Sequence, residues 1–205
     1  MPELAMLKQI VEMRSLGLRD HEQRLGRYAA ELCGALDLDP GFTAAMSQAC
    51  SFHDLGKIVL PDSILLKPTA LTPNEWDVMR SHSQLGHDIL KHGVGAVTEL
   101  AASVALTHHE SFDGSGYPRG LRGNEIPLEG RIAHICDVYD ALREHRVYRR
   151  GLTHERTMDI ILKGDDQTSV MQFDPQVLQA FAAHAGRYAT LFEEYEKETH
   201  RLPKI

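Results

Sequence analysis

The stretch His53-Asp54-Leu55-Gly56-Lys57 comes at the end of a helical run that starts near Phe42. Adjacent side chains on a helix point about 100° apart. The imidazole can therefore bind one ion while the carboxylate, with two oxygens, bridges to a second. A His-Asp pair also occurs by chance, so its meaning depends on what the rest of the chain supplies.

Outward from this pair, similar residues recur at similar places. His108-His109 is a second adjacent pair, late in an Ala-rich helical segment from Glu99. His21 and His82 stand singly in two further helical segments, and Asp137 lies in the apolar run Ile135-Cys-Asp-Val-Tyr-Asp-Ala-Leu142. A carboxylate in such surroundings requires a partner, either a metal or an arginine. Five helical segments can aim these side chains into one cavity, as facing helices do in metal-binding bundles. His92, His145, His184 and His200 are read as ordinary surface or core residues.

The remaining pattern is helical throughout. Leu7 to Leu36 reads as one or two helices, and Asp37 to Gly41 as a turn. Thr72-Pro73-Asn74-Glu75 has the form of a capping box, with the proline at the first helical position. That helix is expected to run through Trp76, Met79 and His82 and to break near Gly86. Ser111 to Gly123 is a loop by composition. Leu128 to Leu142, Thr153 to Leu162 and Pro175 to Tyr188 return to helical spacing, and Gly164 to Gln172 is a polar loop. No alternating strand pattern is visible, so the expected fold class is all-α. The expected organisation is one domain over 1–189, with 1–16 a linker helix and 190–205 a charged, solvated tail.

Bulk composition excludes several roles. A net charge of −7 over 205 residues argues against extended nucleic-acid binding. A small anionic substrate stays compatible, because a local cluster of metals and arginines outweighs the global charge. No stretch approaches the ~18 apolar residues of a membrane helix. Glu3, Lys8, Glu12 and Arg14 interrupt the N-terminal apolar residues, so a signal peptide is not expected and the reading is cytoplasmic. The 3 cysteines form no CxxC pair and read as buried small hydrophobes, whereas 12 histidines raise the prior for metal chemistry.

Taken in order, these motifs resemble one family. His53-Asp54-Leu-Gly-Lys57, His82 with Gly86 and Ile89-Leu90, His108-His109-Glu110, and Asp113-Gly114-Ser-Gly116-Tyr117-Pro118 are similar to the HD-GYP domain, a branch of the HD phosphohydrolases. The likeness spans roughly His21 to Phe181. It implies an HD-domain helical bundle that hydrolyses cyclic di-GMP to linear pGpG, and onward to GMP in some cases. By position, it implies one metal held by His21, His53, Asp54 and Asp137. A second would be held by Asp54, His82, His108 and His109, with Asp54 bridging. The expected cofactors are two divalent ions, Fe or Mn before Ni or Zn. A hydroxide bridging them is the expected nucleophile. Lys57 is assigned to the phosphate or hydroxide, and Arg146 and Arg149 to the substrate phosphates. The Asp113–Pro118 loop is expected to shape the rim of the site. A protein signalling partner docked there, or an upstream sensor domain, is the remaining partner expectation.

Two departures from the family stand out. Several members carry an acidic residue four positions before the first ligand histidine; Gly17 occupies that place here, which favours two metals over three. The family usually continues Thr-Ser-Asp-Arg-Pro-Tyr after Asp-Ala-Leu, whereas this chain has Arg143-Glu-His-Arg-Val-Tyr148. Substrate preference is therefore the open point. The alternatives are hydrolysis of another nucleotide or cyclic dinucleotide, or a metal-containing binding module without turnover.

Overall fold

The computed structural model describes residues 18–145 and 150–201, and every regular element among them is helical. In chain order these are α1 (Leu18–Ala35), α2 (Pro40–Ala49), α3 (Asp62–Leu65), α4 (Pro73–Arg80), α5 (His82–Leu90), α6 (Ala96–Thr107), α7 (Leu128–Arg143), α8 (His154–Lys163), α9 (Pro175–Ala183) and α10 (Ala185–Arg201). Tight 3₁₀ turns occupy Cys50–Phe52, Leu55–Val59, Gly123–Glu125 and Val170–Gln172. The expected helical segment from Leu7 to Gly17 lies outside the described residues.

Local sequence explains where the helices begin. Thr72 accepts from the Glu75 backbone N–H while Glu75 reaches back to the Thr72 N–H, completing the expected capping box. Asp39, Thr153 and Asp174 cap α2, α8 and α9 in the same manner. The break expected near Gly86 falls instead at Ser81, between α4 and α5, and Gly86 lies within α5. Gly86 serves close packing rather than termination. A Cβ built on Gly56 would meet the His82 carbonyl oxygen at 2.0 Å and the Gly86 amide nitrogen at 2.5 Å. The backbone after Asp54 thus lies directly on the backbone that carries His82.

Two buried apolar clusters hold the bundle. The larger joins Leu25, Tyr28 and Leu32 of α1 to Met46, Val104, Ile132, Ile135 and Tyr139, and to Phe181 and Tyr188 further along the chain. The smaller gathers Ala49, Phe52, Leu55, Leu90, Ala101 and Ala105. Both the 49–55 stretch and α6 contribute to the two clusters. Those are the segments that carry His53, Asp54 and His108, so these ligand candidates sit at the seam.

The tail expectation needs correction. α10 crosses residue 190 without interruption and buries Phe192 and Tyr195. Charged residues fill its outer face, but its aromatic stripe closes over α1, with Arg24 over both rings at 5.3 and 5.6 Å. Composition alone hid two anchors in a charged segment.

Gly56→Ala is expected to lower stability by about 3 kcal/mol, at the upper end for overpacking because the clash is with backbone. Urea or thermal unfolding measures this, and an unchanged midpoint would mean that the two backbones do not touch.

Candidate metal centre

His21 lies in the first turns of α1, His82 opens α5, His108 caps α6 and Asp137 sits mid-way along α7. His53 and Asp54 do not end a regular helix. They join two 3₁₀ turns, and Asp54 has φ −96° and ψ 8°. A 3₁₀ turn has three residues per turn, so residues i and i+3 eclipse. Lys57 therefore stands over Asp54, with Nζ 2.5 Å from Oδ2. Lys57 thus shares the face of Asp54, through a tighter geometry than an α-helix would give.

The predicted residues converge. Asp54 Oδ2 lies 3.3 Å from His53 Nε2, and its Oδ1 lies 3.2 Å from His82 Nε2 and 3.8 Å from His108 Nε2. Asp137 Oδ1 is 3.3 Å from His21 Nε2 and 4.0 Å from His53 Nε2. His109 joins the Asp54, His82 and His108 group, all within 4.8 Å of one another, and His21, His53 and Asp54 form a second such group. The two groups share one residue, Asp54.

The outward nitrogens reveal what the inward ones offer. His53 Nδ1 donates to the Cys50 carbonyl at 2.9 Å, and His82 Nδ1 to the Met79 carbonyl at 2.7 Å. His108 Nδ1 reaches the Val104 and Ala105 carbonyls at 3.0 Å each, and His21 Nδ1 the Asp140 carboxylate at 2.7 Å. For His53, His82 and His108 the bond to a backbone carbonyl places a proton on Nδ1 and, in the neutral ring, leaves a lone pair on Nε2. Such lone pairs face each other across 3.3 Å between His82 and His108, and the Nε2 atoms of His21 and His53 lie equally close. The buried Asp54 Oδ1 has no hydrogen-bond partner. Opposed lone pairs beside an unsatisfied carboxylate oxygen suit a cation, and the donor set of imidazoles and carboxylates suits a divalent first-row metal.

Protonation agrees in most of the site. Burial pushes the Asp54 and Asp137 carboxyls up, but neighbouring Lys57 and His53 for the first, and His21 for the second, hold both well below the usual range. Burial drives His108 down and His109 to about 3, so both are neutral. These are the coordinating forms. His21 and His53 behave differently: burial lowers His53, but the Asp54 and Asp137 carboxylates outweigh it and raise it. Burial likewise lowers His21, and hydrogen bonds to Asp137 and Asp140 outweigh that, raising it to about 10. Two carboxylates on one imidazole demand positive charge at that spot.

A supporting layer was not read from the sequence. Asp140, fully buried, holds Arg24 through Nε–Oδ1 and Nη2–Oδ2 contacts of 2.7 Å each. The same carboxylate fixes His21, and Arg24 continues to Glu144 at 3.1 Å. His21, Asp140 and Glu144 could by themselves hold an ion, but the Arg24 guanidinium already supplies their countercharge. Asp140 stands one helical turn after Asp137, so the spacing was available as a signal. Its partner lies 116 residues away.

Glu110 is the second unread residue. It is buried and accepts from the backbone N–H groups of Arg119 at 2.7 Å and Leu121 at 2.9 Å. This pins the far end of the Asp113–Pro118 loop beside His109. Asp113 Oδ1 accepts from the Ser115 backbone and hydroxyl, and Gly114 has φ 83°. A Cβ on Gly116 would meet the Ser111 amide nitrogen at 2.2 Å. Tyr117, followed by a cis bond to Pro118, lays its ring 4.6 Å from that of His109. The loop packs on a ligand candidate through Tyr117.

Other expectations fall elsewhere. Arg146, Arg149 and Gly17 lie outside the described residues. Cys33, Cys50 and Cys136 are buried and free, with thiols pushed up by burial, as the sequence suggested.

Comparison with known proteins agrees with this geometry. The HD domain family matches residues 5–177. A cyclic di-GMP phosphodiesterase of Thermotoga maritima is 35% identical over 178 residues, which cover 87% of this chain and 47% of that protein. A probable cyclic di-GMP phosphodiesterase of Vibrio cholerae is 41% identical over 174 residues, 82% of this chain and 38% of that protein. The 3'3'-cGAMP-specific phosphodiesterase 2 of the same organism is 35% identical over 185 residues, 90% and 35% respectively. The chain thus spans between a third and a half of the length of these relatives. Among solved structures, the HD domain of the Listeria monocytogenes phosphodiesterase PgpH, in complex with cyclic-di-AMP, matches with a TM-score of 0.60 at 19% identity, over 97% of this chain and 99% of that one. That likeness is one of fold.

Asp140→Asn keeps shape and removes charge. It is expected to weaken Mn²⁺ binding about tenfold by loosening His21. Leaving the buried Arg24 with Glu144 alone is expected to lower stability by about 2 kcal/mol. Burial raises the Asp140 carboxyl, and Arg24 and His21 outweigh it, so its pKa is lowered in the fold. Its contribution is therefore present above the ordinary carboxylate pKa of ~3.9 and lost as pH falls through the lower folded value. Stability of the variant should fall less steeply below pH ~4 than that of the parent. Calorimetric metal titration and urea unfolding across pH test both, and identical Mn²⁺ affinities would rule out the support role.

Proposed function

The chain belongs to the HD domain family, in its HD-GYP branch, and from that premise we propose that it is a metal-dependent phosphodiesterase that cleaves cyclic di-GMP to linear pGpG. One observation carries this reading: two histidine clusters bring their Nε2 atoms to opposite oxygens of the single Asp54 carboxylate. His21, His53, Asp54 and Asp137 would hold one divalent ion. Asp54, His82, His108 and His109 would hold the other. Iron or manganese suits this donor set, as do nickel and zinc.

Two such ions, when bound, would supply Lewis acidity to the phosphate and to a water. The protein's own groups then set the geometry. Asp54 fixes the spacing of the two halves. Backbone carbonyls lock His53, His82 and His108, so no reorganisation is needed as charge develops. The Lys57 ammonium, partly exposed beside Asp54 Oδ2, offers its N–H groups to a phosphate oxygen and a proton to the departing alkoxide. Tyr117 and Pro118 close one side of the rim. Arg146 and Arg149 keep their assignment to the substrate phosphates as part of this proposal.

A second reading keeps the chemistry and changes the substrate. A relative named for 3'3'-cGAMP shares 35% identity, so a mixed purine cyclic dinucleotide is the principal competitor. No described helix is long and apolar enough to cross a membrane.

Protein purified without air and analysed for metal, then incubated with cyclic di-GMP and 3'3'-cGAMP, tests the reading. Metal-dependent release of pGpG is expected. Asp54→Ala should abolish it, and Lys57→Ala should lower kcat by about 10²-fold. Undiminished turnover in Asp54→Ala would refute the shared-carboxylate mechanism.

A further inference from the structure

A cyclic dinucleotide carries two phosphodiester groups, and the metal centre can process one at a time. The other remains a full anion at the rim of a chain whose net charge is −7. It needs a local cation. Lys57, 2.5 Å from Asp54, serves the phosphate at the metal centre, and Arg146 and Arg149, assigned to the substrate phosphates above, lie outside the described residues. Arg80 is placed differently. Its guanidinium carbon lies 5.4 Å from the centre of the Tyr117 ring, and that ring is 4.6 Å from His109 and 6.5 Å from His82.

We propose that Arg80 is a specificity residue that holds the phosphate not undergoing cleavage, an assignment that rests on the cyclic-dinucleotide reading above. Three features support it. The side chain is 53% exposed, and its ion pair among the described residues is a 4.0 Å contact to the still more exposed Asp77, which is too weak to occupy it. The aromatic face of Tyr117 orients the guanidinium and leaves its N–H edges open, and such a fork matches two oxygens of a phosphate. Finally, Arg80 ends α4 only two residues before His82 opens α5, so the cation is carried by the same short backbone turn that places a ligand candidate. Its position is thereby registered to the reacting centre.

The test uses the Mn²⁺-loaded full chain and two substrates. Cyclic di-GMP has a second phosphate; bis(p-nitrophenyl) phosphate has none. Arg80→Met keeps the apolar contact with Tyr117 and removes the charge. It is expected to raise KM for cyclic di-GMP about tenfold, with kcat changed far less, and to shift the single-phosphate diester by a much smaller factor. Arg80→Lys should restore part of the loss. The parent's KM for cyclic di-GMP should also rise more steeply with salt than the Met variant's. Equal losses on both substrates would overturn the proposal in favour of Arg80 acting only by holding Tyr117. An unchanged KM for cyclic di-GMP would overturn it outright. A parent protein that cleaves the simple diester but no cyclic dinucleotide would overturn the substrate reading, and the subsite with it.

Discussion

Sharing the Asp54 carboxylate between two histidine clusters is the constraint on which the rest of this architecture depends. One carboxylate can face two ways only if its backbone is held at the junction of two tight turns and both sides are filled by separate helices. Gly56 permits this, because only a residue without a side chain lets the second turn settle against α5. The two apolar clusters then meet along the segments that bear the ligands. Packing and chemistry are not separable here: the seam of the core is the floor of the site.

A second consequence concerns protons. The imidazoles that donate Nδ1–H to backbone carbonyls have their tautomer set by helix geometry rather than by solvent. His21 is the exception, since a carboxylate and not a carbonyl receives its proton. The half of the site around His21 is therefore richer in negative charge, with Asp54, Asp137 and Asp140 nearby, than the half built on neutral His108 and His109. The two positions are chemically unequal although they share a bridging residue.

Much of this was legible in the sequence. Helical spacing identified the class, and the capping residues Thr72 and Glu75 located a helix start to the residue. The order of His21, His53-Asp54, His82, His108-His109 and Asp137 carries the family resemblance that implies the candidate ligand set. What stayed hidden was contact between distant residues. Asp140 stands in the same quoted stretch as Asp137, yet its role depends on Arg24, far along the chain. Glu110 was quoted beside His109, yet its function is to catch two backbone amides in a loop that composition marks only as a loop. Punctuation by glycine is a local rule that makes Gly86 a helix breaker, whereas its value in the fold is closeness to another backbone.

Phe192 and Tyr195 lead to a practical conclusion about where this fold ends. A boundary drawn on composition alone falls at residue 190, ahead of both rings. A fragment cut there would lose the aromatic cover over Arg24, the residue that steadies Asp140 and through it His21. Such a fragment would retain all seven proposed ligands in its sequence and still hold one of them loosely. For this molecule the minimal folded unit is longer than the minimal motif, and the difference is a short run of helix that carries no ligand.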